Sequence, residues 1–218
     1  MMTILDVHTH LPAPRPGAVI SCTPDELPPQ DAFPEQLYSV GIHPWDVTPA
    51  GISIADTARL REELSRPDVV AVGETGIDLA RKDCAPLFAQ MLAFRAHIKL
   101  SEELSMPMII HCVKAHDIII GLRHEMKPAQ RWLIHGFRGK PSILAMLLAA
   151  GIDVSYGPLF NADSVAATPA DRLFAETDES DIAAADVISR LADANPAASE
   201  AVVASNAAGF FSIYRSIN

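Results

Sequence analysis

His8-Thr9-His10 is the first place in the chain where neighbouring side chains could do chemistry together. It closes an apolar run, Ile4–His8, that reads as a strand. Residues two apart in an extended chain project to the same side, so both imidazoles face one way. Two neutral imidazoles on one side make half a site for Zn²⁺, Mn²⁺ or a similar ion. Alone, the pair is a weak signal.

The pattern recurs at other apolar runs. Val69–Val72 is closed by Gly73-Glu74, Met108–Ile110 by His111, and Trp132–Ile134 by His135, while Leu173–Ala175 leads into Glu176-Thr177-Asp178. A carboxylate ending an apolar strand is costly unless it is paired or coordinated. Taken singly, each histidine is explained by hydrogen bonds within a core and each carboxylate by a helix cap. Five such endings together point instead to one metal site. His8, His10, Glu74, His111, His135 and Asp178 would then gather around one or two divalent ions. The donor set admits Zn²⁺, Mn²⁺, Fe²⁺, Co²⁺ or Ni²⁺, and Mg²⁺ less naturally because of its preference for oxygen. Such ions lower the pKa of water, so the chemistry to expect is hydrolysis.

The elements that must position these residues follow from periodicity. Eight short β-rich runs are visible: Ile4–His8, Ala18–Cys22, Leu37–His43, Val69–Glu74, Met108–Cys112, Trp132–His135, Ile152–Tyr156 and Leu173–Asp178. Most are nearly continuous apolar stretches, as in parallel strands buried on both faces. Helical patterns lie between many of them. The clearest is Pro86–Ser105, where Leu87, Met91, Phe94 and Ile98 line one face and Pro107 ends the run. Others cover Ile54–Ser65, Ala115–Glu125, Ser142–Ala150, Ile182–Ala194 and Ser199–Phe211. This alternation predicts a single TIM-type (β/α)8 barrel over residues 1–218, with an open α/β sheet as the rival. Leu11–Gly17 holds three prolines and Thr23–Glu35 is also Pro-rich, so the barrel is expected to be abbreviated near the N-terminus, without its first helix. In a barrel, every strand's C-terminal end opens on the face that carries active sites.

The blocks Asp6-Val7-His8-Thr9-His10, Gly41-Ile42-His43-Pro44, Val72-Gly73-Glu74-Thr75-Gly76-Ile77-Asp78, Ile109-Ile110-His111-Cys112, Ile134-His135-Gly136-Phe137 and Glu176-Thr177-Asp178 together resemble the TatD family of metal-dependent hydrolases. Asn206 followed by Phe210 is similar to that family's closing helix. The resemblance implies a TIM barrel and a one- or two-metal site used on phosphodiesters, as in DNases. It implies that His8, His10 and Asp178 hold a first metal, that Glu74 bridges, and that His111 and His135 complete a second site. On chemical grounds Asp178 can also accept the proton of the attacking water. His43 and Arg81, the latter at the family's Gly-Leu-Asp-x-x-Arg position, are expected to contact substrate, as is Lys114, which follows Val113 where the family often has Arg.

Composition narrows the partners. A net charge of -10 argues against a broad grip on duplex nucleic acid, though bound ions can attract a phosphate ester locally. No run approaches the length of a membrane span, and three cysteines without a CxxC pair suit the cytoplasm. No long exposed apolar helix stands out, which favours a monomer. The leading expectation is a phosphoesterase or nuclease acting on a phosphate-ester or nucleic-acid substrate. An amide, ester or aminoacyl-bond hydrolase using the same metal site is the alternative, and a non-catalytic metal-binding barrel is the third.

Overall fold

The computed structural model describes residues 3–12 and 14–211. Its strands are β1 (Asp6–Thr9), β2 (Ala18–Cys22), β3 (Leu37–Val40), β4 (Val69–Asp78), β5 (Met108–Val113), β6 (Trp132–Ile134), β7 (Ile152–Tyr156) and β8 (Leu173–Ala175). Its helices are α1 (Ile54–Leu64), α2 (Leu87–Leu104), α3 (His116–Met126), α4 (Pro141–Ala149), α5 (Ala162–Ala166), α6 (Ala184–Ala194) and α7 (Glu200–Phe210). The strands form one eight-stranded sheet in chain order, β1 to β8. The pairs β1–β2, β3–β4, β4–β5 and β7–β8 run parallel. Among the described residues, no helix stands between β1 and β2 or between β2 and β3. The proline-rich connections leave too few backbone donors for one.

The chain divides into two compact units. One comprises Met1–Ile20, Glu35–Leu37 and Ile134–Asn218, and the other Ser21–Pro34 and Tyr38–Leu133. In the first unit, Asn206 donates from its side chain to the carbonyls of Ala170 (2.8 Å) and Leu173 (2.9 Å), and Phe210 packs on Phe174 at 5.7 Å. The closing helix α7 thereby anchors β8 and the turn just before it. In the second unit α1 begins with a capping box, Ser53 accepting from the Asp56 amide while Asp56 accepts from that of Ser53. The long helix α2 stops at Ser105, whose left-handed φ of 55° breaks the helical course.

Three strand ends that bear on the site, and one short helix, depart from the sequence reading. β3 stops at Val40, which leaves His43 on a loop, and β8 stops at Ala175, so Glu176–Asp178 lie past the ladder. β4 runs on through Glu74 to Asp78. α5 has only five residues, too few to display a period of 3.6. Among the described residues, no helix is long and apolar enough to cross a membrane.

Candidate functional site

In the first unit, β1 delivers His8, which is fully buried, and His10 just beyond it. Their rings stand edge to face with centroids 4.9 Å apart, as the alternation of an extended chain requires. Asp178 presents Oδ1 at 3.9 Å from Nε2 of each. Backbone pairing places it there. The Asp178 amide donates to His8 O, and the Asp178 carbonyl accepts from the His10 amide and from Thr9 Oγ1. Asp178 adopts a left-handed φ of 55°, a conformation Asp and Asn tolerate better than most residues.

Behind them, Asp6 accepts from the Thr177 hydroxyl (2.6 Å) and amide (3.0 Å), tying β1 to the segment after β8. Burial pushes its carboxyl up to about 6, with Glu176 adding to the rise against the Thr177 and His8 hydrogen bonds. The His135 ring lies 4.2 Å from that of His8, and its Nδ1 is 3.6 Å from Glu176 Oε1. Glu176 is fully buried and accepts from Ser155 Oγ. Burial alone would raise its pKa, yet His135, His8 and Ser155 outweigh it and lower the value, so Glu176 stays a carboxylate. His8, His10 and Asp178 form one group whose potential ligand atoms lie within 4.8 Å of one another, and His135, Glu176 and Asp178 form a second.

In the second unit Glu74, His111 and His43 form a third such group. β4 and β5 lie so close that a Cβ on Gly76 would stand 2.0 Å from the His111 carbonyl. Glycine with its φ of 150° is what fits opposite His111. Glu74 Oε1 lies 2.7 Å from His111 Nδ1 and 3.1 Å from His43 Nε2. One of the two rings has its tautomer fixed by a backbone donor. His43 Nδ1 accepts the Trp45 amide, so in its neutral form Nε2 carries the proton and donates to Glu74. His111 places Nδ1 2.7 Å from Glu74 Oε1 and 3.1 Å from His43 Nε2, and Nε2 3.2 Å from Asp78 Oδ2, so its ring lies between two carboxylates. Burial works against ionised Asp78, but donors from Trp45, Ala80, Arg81 and His111 hold its carboxyl down to about 2. The Glu74 carboxylate oxygen and His111 Nδ1 face each other at 2.7 Å, a spacing that a shared proton or a bound metal ion would serve.

The remaining expected residues sit as follows. The Arg81 guanidinium pairs with Asp83 at 2.9 and 3.1 Å and lies over the Trp45 ring at 4.0 Å. Lys114 is exposed on the turn between β5 and α3, with φ 55°. His124 is exposed on α3. His97, read from sequence as structural or solvated, is fully buried. Its Nε2 accepts the Ile42 amide at 3.0 Å and its Nδ1 donates to Ala93 O at 2.7 Å, so it holds the loop that carries His43. Asp78, Glu176, Trp45 and Asp6 were not singled out from sequence. For Asp78 a signal existed: Glu74, Gly76 and Asp78 alternate on one face of β4.

Comparison with solved structures shows the fold class. A TatD homologue from Escherichia coli superposes with a TM-score of 0.75 at 20% identity, covering 90% of this chain and 87% of the homologue. A TatD-family hydrolase from Entamoeba histolytica gives 0.73 at 14% identity, covering 96% and 98%. The chain thus has the (β/α)8 architecture of these two structures, in an abbreviated form. The family model described as TatD related DNase matches residues 29–208, and the chain belongs to the TatD family. Among curated relatives, the 3'-5' ssDNA/RNA exonuclease TatD of Erwinia billingiae is 33% identical over 150 residues, 64% of this chain and 56% of the relative. That of Pectobacterium atrosepticum is 33% identical over 158 residues, 67% of this chain and 59% of the relative. The chain spans a little over half the length of the curated relatives it matches.

Proposed function

We propose that this protein is a metal-dependent nuclease that cleaves phosphodiester bonds of single-stranded nucleic acid. His8, His10, Glu74, His111, His135 and Asp178 are the proposed metal ligands. The observation that carries the reading is the gathering of His8, His10 and Asp178, and of His43, Glu74 and His111, into groups whose potential ligand atoms lie within 4.8 Å of one another. Family membership and the exonuclease relatives support the choice of bond.

One or two bound divalent ions would lower the pKa of an attacking water and offset phosphate charge. Their identity is open among Zn²⁺, Mn²⁺, Fe²⁺, Co²⁺, Ni²⁺ and Mg²⁺. Asp178 accepts the water's proton at a carboxylate oxygen. Asp78, held ionised, keeps the His111 proton on Nε2 and so keeps Nδ1 available as a ligand. Glu176 faces His135 and serves as its orienting carboxylate. His43, whose Nε2–H can serve a phosphate oxygen as well as Glu74, contacts substrate together with Arg81 and Lys114. The three cysteines are free, and we place the protein in the cytoplasm as a monomer.

The test is incubation of 5'-labelled single-stranded DNA and RNA with each metal in turn, alongside metal content per chain. Stepwise shortened products that disappear with chelator are expected. Folded, metal-loaded protein that cleaves no phosphodiester under any of these metals would overturn the reading.

A further inference from the structure

The chain has two tryptophans, and they are placed oppositely. Trp132 is fully buried, whereas Trp45 is 44% exposed. Trp45 is nonetheless fixed. Its Nε1–H donates to Asp78 Oδ2 at 2.9 Å, and its ring meets that of His43 edge to face at 4.6 Å. Arg81 lies over the ring at 4.0 Å, itself held by two hydrogen bonds to Asp83. An indole and a guanidinium are thus stacked and immobilised one ring contact away from the His43–Glu74–His111 group. Orienting Asp78 requires only the indole N–H, which does not explain a large apolar ring left open to solvent.

We propose that Trp45 and Arg81 form a stacking subsite for an unpaired nucleobase of single-stranded nucleic acid. The proposal rests on the nuclease reading above and names how that site selects its substrate. Every base offers a π-face, so stacking grips nucleic acid without reading its sequence. The guanidinium adds a planar cation that stacks on bases as it stacks on the indole. Paired bases inside a duplex have both faces covered, so the subsite favours single strands and frayed ends. It also suits a chain of net charge -10, which argues against a broad grip on duplex phosphates.

The experiment titrates a short oligothymidylate, and an abasic strand of the same length and charge, into chelator-treated protein. Tryptophan emission and the anisotropy of a label on the strand are followed together. The thymidylate is expected to quench emission and to bind roughly tenfold tighter than the abasic strand, the scale of one base–aromatic stack. Trp45→Phe, which keeps a ring, is expected to abolish the quench, because only buried Trp132 still emits, while retaining most of the base preference. Trp45→Ala is expected to bind the two strands alike. Retained base preference in Trp45→Ala, or binding of thymidylate without quenching in the parent protein, would overturn the proposal. Cleavage of the same strands by metal-loaded protein separates the two readings. Cleavage indifferent to the terminal base sinks the subsite and leaves the nuclease; base-dependent quenching without cleavage sustains the subsite and sinks the nuclease.

Discussion

Replacing His97 by Leu should destabilise the protein in a way that depends on pH. His97 accepts the Ile42 amide at Nε2 and donates from Nδ1 to Ala93 O, a pairing that only the neutral imidazole can make. Burial drives its pKa down from 6.5 to about 4, against a smaller opposing effect of the Ala93 hydrogen bond. Between those values the unfolded chain binds a proton that the folded chain refuses. The stability held by neutral His97 is therefore complete above pH 6.5 and is lost as pH falls towards 4, in total about 3 kcal/mol. Leucine fills similar space but leaves the Ile42 amide without its acceptor, a cost of about 2 kcal/mol. The variant should thus be less stable than the parent by about 2 kcal/mol at pH 8, where His97 is neutral in both states of the parent. By about pH 5 the parent has lost a similar amount through His97, and the gap should close. Asp6 acts in the opposite sense. Its folded pKa of about 6 lies above the ordinary 3.8, so its contribution improves as pH falls through that window. Comparing variant with parent at each pH cancels that effect. Urea denaturation at intervals from pH 8 to pH 5 provides the measurement. A gap that stays constant down to pH 5, or a variant as stable as the parent at pH 8, would refute the reasoning. Because Ile42 precedes His43, a proposed substrate contact, the variant should also show a raised KM.

Three other outcomes are expected. Asp178→Asn keeps a residue that tolerates the left-handed backbone, so circular dichroism should be unchanged while kcat falls by about 10²- to 10⁴-fold; full activity would remove Asp178 as the base. Asp78→Asn removes the charge that orients His111 and should weaken metal binding by roughly 10- to 100-fold in calorimetry, with unchanged affinity arguing that His111 is not a ligand. Gly76→Ala drives a Cβ into the His111 carbonyl, and a loss of at least about 3 kcal/mol in denaturant unfolding is expected; a near-neutral result would mean that β4 and β5 do not approach as closely as described.

Much of the scaffold could be read along the chain because it depends on local pattern. Short β-rich runs, most of them nearly continuously apolar, marked the eight strands, and helical patterns marked the described helices except the five-residue α5. The prolines of residues 11–17 and 23–35 foretold the absence of helices there, since a missing N–H is a local fact. Side-chain alternation likewise set His8 beside His10. Partnerships across long separations in sequence belong to the tertiary structure. Nothing near Asp78 shows that Trp45 and His111 will donate to it, or that those donors will hold it ionised against the cost of burial. His97 reads as one more helical histidine until α2 lays it beneath the Ile42 amide. Arg81 carries the same charge in any conformation, but only folding sets it over an indole. The sequence by itself determined which residue types can bind metal and the elements that carry them. Orientation, tautomer and protonation were decided by the tertiary structure, because each depends on a neighbour's hydrogen bond or on lost water, and neither exists until distant segments pack.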